Sequence, residues 1–296
     1  MMEITFLGTS GSAPGKERGM PCVSLTRNGE LFLFDCGEGT QMQMLKYGIN
    51  GYKLKCIFLS HAHGDHIIGV AGLLRTLALN GRKEPLRIFI PRGYEHTVRS
   101  LVVFDKAVLG YDVEVSGVGQ GSVYKGKDFE VFSFRLNHTI PTVGYLFREN
   151  DKLSFIKGKC EKLGIKGEMF SRLEEGKRIR VDGRSIGIRQ VTLHKSGIKV
   201  AYVADTRPSA NAAKAALSAD ILIHESSYSS EQSGLASARK HSTSQEAATI
   251  AKRAKVKSLI LTHFSTRYKS AEALEREARK VFPKSSAAYD GYTVKV

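Results

Sequence analysis

No C-x-x-C pair occurs among the four cysteines, Cys22, Cys36, Cys56 and Cys160, and each lies in an ordinary core context. The pattern predicts reduced thiols in a cytoplasmic protein, and it leaves nitrogen and oxygen as the ligands for any metal. Long apolar runs are missing as well, each being broken well short of a membrane span. The N-terminus, Met1-Met2-Glu3-Ile4-Thr5-Phe6, has no basic stretch leading into an apolar one. A soluble, unexported protein with no membrane partner is the expectation. Internal repeats are not visible in the residue identities, and acidic residues are in deficit, with 29 Asp and Glu against 45 Lys and Arg and a net charge of +16. An excess of this size attracts polyanions, most simply nucleic acid, unless it is only a solubilising surface. Its distribution favours the first reading: residues 151–200 hold thirteen Lys and Arg against six Asp and Glu, which is +7 of the total.

What is present is a 296-residue chain, 42% hydrophobic, enough to bury a full core as one large domain or two fused halves. Its most informative stretch is Ser60-His61-Ala62-His63-Gly64-Asp65-His66, directly after the apolar run Cys56-Ile57-Phe58-Leu59. The run reads as a buried strand. A sharp turn at its end, eased by Gly64, lets His61, His63, Asp65 and His66 fan around a point. Imidazole and carboxylate suit Zn²⁺ and similar ions. A His-rich surface turn is the plainer alternative, but it does not call for an Asp at this spacing after a buried strand.

The remaining chain supplies partners. A strand over Glu3–Thr9 leads to a Gly- and Pro-rich loop carrying Lys16 and Arg18, which could touch phosphate or be a simple connection. Asn28-Gly29 marks a hairpin whose second strand ends at Asp35. Helices are expected over Gly39–Tyr47, Ile67–Leu79 and Glu95–Leu109, and short strands over 85–91, 113–118, 122–124, 128–136 and 143–148. His138 lies between the last two, at a strand end. Residues 151–184 lose core periodicity, yet Leu153, Phe155, Leu163, Ile165, Met169 and Phe170 are too apolar for disorder, so an excursion from the globule is expected. Strands resume at Ile186–Leu193 and Ile198–Ala204, the latter ending in Asp205, and alternate with helices to the C-terminus. Thr243 and Glu246 form a capping-box pattern that puts His241 just ahead of a helix. Two halves of clustered strands and helices predict an α/β sandwich: two mixed sheets face to face, helices outside. Asp35, the His61–His66 run, His138, Asp205, Glu225 and His263 all fall at or just past strand ends, where layered α/β folds build their sites. His96 and His194 read as surface residues, and His224 as structural.

These elements resemble the metallo-β-lactamase-fold hydrolases, and within them the ribonuclease Z family of tRNA 3′-processing endonucleases. The closer likeness rests on Phe34-Asp35-Cys36-Gly37-Glu38-Gly39-Thr40-Gln41, on His138 with Gly144-Tyr145, on His224-Glu225-Ser226 with His241-Ser242-Thr243, and on His263-Phe264-Ser265-Thr266-Arg267-Tyr268. They occur in the family's order across nearly the whole chain. The resemblance implies an αββα sandwich spanning residues 1–296 as a single domain, with a basic tRNA-binding arm inserted at about 151–172. It implies two Zn²⁺ per subunit, with Mn²⁺ or another divalent ion as substitute. His61, His63 and His138 would hold one ion, Asp65, His66 and His263 the other, and Asp205 would bridge them. Asp35 would support the metal loop from behind.

The implied reaction is cleavage of precursor tRNA by a metal-activated water, removing the 3′ trailer and leaving a tRNA 3′-hydroxyl. Asp65 would orient or deprotonate that water, and His241, held by Glu225, would act as general acid. The arm would grip RNA through Lys152, Lys157, Lys159, Lys162 and Lys166, and Lys16 and Arg18 would sit in a loop linked to the mature CCA end. A homodimer is implied, one subunit's arm holding the tRNA cut by the other. Two departures stand out. Gly167-Glu168 replaces the Gly-Pro pair of many family arms, and Gly19 stands where Asn is usual, so rejection of CCA-bearing tRNA does not carry over. Rival readings are a small-molecule phosphodiesterase or lactonase of the same fold, which has no need of the basic excursion, and a non-catalytic RNA-binding subunit, which should have lost ligands. A larger RNA-cleaving relative would need a whole domain between Asp205 and His263, an interval too short here.

Overall fold

A computed structural model describes residues 2–103 and 109–296. By contacts it forms two compact units, one of residues 1–148 with 199–296 and one of residues 149–198.

The larger unit is built on two seven-stranded sheets. The first orders its strands Thr293–Lys295, Met2–Gly8, Cys22–Arg27, Glu30–Phe34, Leu54–Phe58, Leu86–Pro91 and Val113–Val118. Its last four run parallel, with Phe34 opposite Phe58 and Phe58 opposite Phe89. The second orders Ser285–Ala287, Ser258–Thr262, Ile221–Glu225, Lys199–Val203, Val143–Glu149, Phe129–Arg135 and Gly121–Lys125, the first four again parallel. Parallel strands need covering on both faces, and the sequences comply with nearly unbroken apolar runs.

The two-residue period of a strand sorts those runs into layers. Phe32 and Phe34 face the other sheet, where Phe32 meets Phe129 at 5.3 Å and Phe34 meets Tyr202 at 5.4 Å between ring centres. Phe58 likewise meets Tyr145 at 5.3 Å. Leu31 and Leu33 point the opposite way, into a buried cluster with Val70, Leu73, Leu74 and Leu77 of the helix Gly69–Leu79. The outer face of the second sheet is covered by small residues, Ala212, Ala213, Ala247, Ala248 and Ala251, which let the helices Ala210–Ala215 and Ser244–Ala254 approach closely. This is the helix, sheet, sheet, helix order expected of the sequence. Because the parallel strands of each sheet end along one edge, the loops that follow them gather there.

The smaller unit pairs Lys152–Phe155 with Thr192–Lys195 antiparallel. Between them lie the helices Lys157–Lys162 and Glu168–Glu174 and a hairpin, Ile179–Val181 with Arg184–Ile186. The hairpin turns through Asp182 (φ 49°) and Gly183 (φ 76°), two successive left-handed residues of the kind a tight hairpin turn demands. The unit has its own core of Cys160, Ile165, Leu173, Ile179, Ile186 and Val191, against which Phe155 and Phe170 pack, their rings edge-on to each other at 4.9 Å. The expected single strand Ile186–Leu193 is corrected here: Ile188–Val191 is one helical turn. Gln190 Oε1 accepts from Gly187 N at 2.6 Å and closes that turn before the strand at Thr192 begins. The expected helix Glu95–Leu109 is seen as Glu95–Val103; positions 104–108 lie outside the described residues, and Leu109 is not helical. No helix among the described residues is long and apolar enough to cross a membrane.

Candidate metal centre

The strands Glu30–Phe34 and Leu54–Phe58 end level with one another, and Asp35 N donates to Phe58 O at 2.9 Å, so Asp35 and the His61–His66 loop leave the sheet side by side. His63 caps the short helix Gly64–Ile67 in extended conformation, and the chain is pinned by Cys36 N to His66 O (2.9 Å) and Gly69 N to Cys36 O (3.0 Å). That crossing is so close that a Cβ on Gly69 would lie 1.9 Å from Gly37 O. Only glycine fits there. From the second sheet, the ends of Lys199–Val203, Ile221–Glu225 and Ser258–Thr262 deliver Asp205, Glu225 and His263 to the same place.

Two sets of donor atoms result. His61, His63, His138 and Asp205 each offer a ligand atom within 4.8 Å of the others, as do Asp65, His66 and His263. His61 Nε2 lies 2.9 Å from His63 Nδ1, which lies 3.3 Å from His138 Nε2. In the second set the Nε2 atoms of His66 and His263 are 3.2 Å apart, and Asp65 Oδ2 is 3.5 Å and 3.7 Å from them. Asp205 serves both: Oδ2 faces His61 at 3.6 Å and His138 at 3.7 Å, while Oδ1 faces His263 at 3.1 Å and His66 at 3.5 Å.

The outer nitrogens are committed elsewhere, which fixes what the inner ones present. His66 Nδ1 donates to Asp35 Oδ2 (2.8 Å), His138 Nδ1 to Lys240 O (3.0 Å), and His263 Nδ1 faces Ser227 Oγ (3.0 Å). Nε2 lone pairs and carboxylate oxygens are thus turned toward each other in a closed space. Asp205 Oδ1 is buried with no hydrogen-bond partner among the described residues. A buried anionic oxygen without a donor is costly unless a cation meets it. Burial, reinforced by the neighbouring His66, holds His61 well below the usual imidazole range, and burial also lowers His138, so both are neutral as ligands must be. Burial works against ionisation of Asp65, but the neighbouring His263 and His66 outweigh it and keep the carboxylate ionised. The donor set fits divalent ions that prefer nitrogen and oxygen.

Asp35 holds the assembly from behind. Fully buried at φ 59°, a left-handed conformation that Asp tolerates, it accepts from Ser60 N (2.7 Å), Ser60 Oγ (2.9 Å), Tyr202 OH (2.6 Å) and His66. His241 and Glu225 form a second buried pair, Nδ1 to Oε1 at 3.1 Å. Glu225 also accepts from Thr206 N, Ser242 N, Ser227 N and Ser227 Oγ at 2.8–3.0 Å. Burial alone would lower His241, but the Glu225 charge and hydrogen bond prevail and push it up to about 9. The ring stays close to the donor sets, with Nδ1 3.9 Å from Asp205 Oδ2, so distance alone also admits a group of Asp205, His241 and His263.

Residues 2–155 match the family model described as Anti-Pycsar protein Apyc1, which takes in the His61–His66 run and His138 but ends before Asp205 and His263. A longer likeness joins the two halves of the site. Ribonuclease Z of Methanothermobacter thermautotrophicus is 41% identical over 298 residues, covering 100% of this chain and 97% of that protein. The chain belongs to the ribonuclease Z family. Ribonuclease Z of Archaeoglobus fulgidus is also 41% identical, covering 100% and 98% of the two chains. The crystal structure of the short form of human tRNase Z superposes with a TM-score of 0.71 at 28% identity, over 99% of this chain and 98% of that one. The metallo-beta-lactamase fold protein YhfI from Bacillus subtilis, at TM-score 0.72 and 19% identity over 99% and 98% of the chains, shares the fold.

Other residues singled out in the sequence of this ribonuclease Z family member lie elsewhere. Lys16 and Arg18 line a cavity of about 410 Å³ with Thr266, Tyr268 and Lys269. Arg18 donates to Tyr268 O and lies over the Phe264 ring. Gly19 N donates to Asp290 Oδ2 at 2.6 Å, and a Cβ there would come within 2.5 Å of Gln43 Nε2, so the usual Asn has no room unless Gln43 moves. Lys152, Lys157, Lys159, Lys162 and Lys166 are exposed on the smaller unit. His96 is exposed, as is His194, which pairs with Asp151, and His224 is fully buried, its Nδ1 donating to Glu225 O. Sequence reasoning missed Ser60, Tyr202, Arg207 and Ser227. Each acts through a contact far along the chain, and nothing in its local pattern announces it.

Proposed function

We propose that the chain is a metal-dependent endoribonuclease that cuts precursor tRNA at the 3′ end, releasing the trailer and leaving a tRNA 3′-hydroxyl. The observation that carries this reading is Asp205, buried, with one carboxylate oxygen toward each of two donor sets. His61, His63 and His138 would hold one Zn²⁺, Asp65, His66 and His263 the other, with Asp205 between; Mn²⁺ or another divalent ion could substitute. Zinc in such a site supplies Lewis acidity, lowering the pKa of water and withdrawing charge from a phosphoryl oxygen.

The protein's own groups manage the protons. Asp65, oriented by Ser12 N at 3.0 Å to Oδ2, takes the proton of the attacking water. As water oxygen bonds to phosphorus, the bond from phosphorus to the 3′ oxygen breaks, and that oxygen needs a proton. His241 gives it from Nε2, since Nδ1 is engaged by Glu225. We read His241 as acid rather than ligand because a ring bound to a buried carboxylate is poised to stay protonated. Asp35 sets the orientation of His66.

Residues 151–172, within the smaller unit, would be the tRNA-binding arm of a single metallo-β-lactamase-fold domain, with Lys152, Lys157, Lys159, Lys162 and Lys166 meeting phosphates and Lys16 and Arg18 near the 3′ end. The enzyme would work as a cytoplasmic homodimer. One second reading is a small-molecule phosphodiesterase of the same fold, because the two donor sets by themselves would serve either substrate. Parallel assays on a 3′-extended precursor tRNA and on bis(p-nitrophenyl) phosphate decide between them. Cleavage of the RNA at micromolar concentration, lost on chelation, supports the proposal; turnover of the small diester alone supports the alternative.

A further inference from the structure

We infer that Arg207 is a positioning residue for His241, acting by clamping the three loops that carry Asp205, His138 and His241 into one rigid piece. The inference rests on the proposed acid role of His241.

The contacts are specific. Arg207 N donates to Asn137 O at 2.9 Å, and Asn137 N donates in return to Thr206 Oγ1 at 3.0 Å, so the loop after Asp205 is tied to the residue before His138. The guanidinium then reaches the other way. Nη1 donates to His241 O, and Nη1 and Nη2 together grip the Glu246 carboxylate as a fork. Glu246 is itself fixed, because Oε2 accepts from Thr243 N (2.9 Å) while Glu246 N donates to Thr243 Oγ1 (3.2 Å), the reciprocal cap of the helix Ser244–Ala254. Ser242 Oγ closes the frame by donating to Thr206 O at 2.6 Å.

His241 is therefore held from two sides by different means. Glu225 fixes the ring through Nδ1, whereas Arg207 fixes the main chain through the carbonyl. The second hold matters because the preceding residue, Lys240, is left-handed at φ 54°, a conformation a β-carbon disfavours and an unsupported loop would relax. Arg207 is suited to the task where Lys is not: the planar fork takes two carboxylate oxygens and still presents a donor to the carbonyl. The Arg207 and Glu246 side chains are 22% and 28% exposed, so solvent weakens the pair as a source of stability while leaving its geometry intact.

A misplacement of about 1 Å can cost on the order of 10²-fold in rate. Arg207→Met should lower kcat for precursor tRNA by roughly 10- to 100-fold with KM and zinc content unchanged, and Arg207→Lys should recover part of the loss. The deciding readout is a double-mutant cycle: in a His241→Ala background, Arg207→Met should cost less than about 2-fold more, because its effect passes through the missing imidazole. Glu246→Gln, which keeps the cap acceptor, should show the same non-additivity with a smaller single effect. The loss on bis(p-nitrophenyl) phosphate, whose leaving group departs without a proton, should be at least tenfold smaller than on RNA. Additive losses in the double mutant, equal losses on both substrates, or a fall in zinc content would overturn the inference in favour of general support of the site. Failure of the wild-type protein to cut precursor tRNA would instead sink the proposed function, a different and separately visible result.

Discussion

In the proposed two-metal site, replacing Asp205 by Asn would remove the shared ligand while leaving the side-chain volume almost unchanged. In the native site Oδ1 lies 3.1 Å from His263 Nε2 and Oδ2 lies 3.6 Å from His61 Nε2, one oxygen to each donor set. The amide keeps one oxygen and turns its NH₂ toward the other set, where a donor would face the proposed cation and the imidazole nitrogens. One set thus loses both a ligand and a negative charge. If that set empties, the several kcal/mol of charge stabilisation its ion supplies is lost; about 4 kcal/mol corresponds to roughly a 10³-fold fall in kcat. Stability should report the same event. An ion at 100 times its Kd stabilises the fold by about 2.7 kcal/mol, so the rise in Tm when metal-free protein is titrated with zinc should be about half that of wild type. Elemental analysis, zinc-dependent Tm and precursor-tRNA turnover are measured on the same preparations. Two zinc ions per Asp205→Asn chain with an unchanged Tm rise and near-native turnover would refute the reasoning.

Three further outcomes are expected. His241→Ala should retain its zinc by elemental analysis but cut precursor tRNA about 10²- to 10⁴-fold more slowly, the usual cost of losing a general acid; loss of metal would make His241 a ligand instead. Tyr202→Phe deletes the 2.6 Å hydrogen bond to the buried Asp35 carboxylate and should cost about 1.5–3 kcal/mol in urea unfolding, a figure near zero showing that Asp35 is adequately held without it. Replacing Lys157, Lys159 and Lys162 by Ala should weaken precursor-tRNA binding and flatten its logarithmic salt dependence by up to about 0.7–0.9 per lysine that neutralises a phosphate, with hydrolysis of the small diester unaltered; an unchanged slope would remove these lysines from recognition.

The sequence made the layered fold legible because its strands are apolar on both faces and its turns are marked, as at Asn28-Gly29. It made the His61–His66 loop legible because the ligands are close in sequence. Asp35, His138, Asp205 and His263 could be picked out only as strand-end residues; Asp35, Asp205 and His263 converge because parallel strands of two sheets finish along a common edge, and His138 joins them from the connection between Phe129–Arg135 and Val143–Glu149. What stayed hidden is non-local. Thr293–Lys295 is too short to announce a strand, yet it pairs with Met2–Gly8 at the other end of the chain, Glu3 opposite Lys295. Tyr202 looks like any inward-facing aromatic until its hydroxyl is seen on Asp35. Ile186–Leu193 reads as a strand by composition, and it is divided where the Gln190 side chain closes a helical turn onto Gly187 N. Ser227 and Arg207 carry no signature, since a side chain that braces another loop obeys that loop's geometry rather than its own sequence neighbourhood.

The central claim is endonucleolytic water attack at the tRNA 3′ end, and the chemistry of the two new ends tests it most directly. A precursor tRNA carrying a multi-nucleotide trailer, incubated with purified protein, should yield an intact trailer with a 5′-phosphate and a tRNA with a free 3′-hydroxyl, in equal amounts, with cleavage stopped by chelation and restored by zinc. A 3′-phosphate on the tRNA, or a ladder of mononucleotides in place of an intact trailer, would contradict the account.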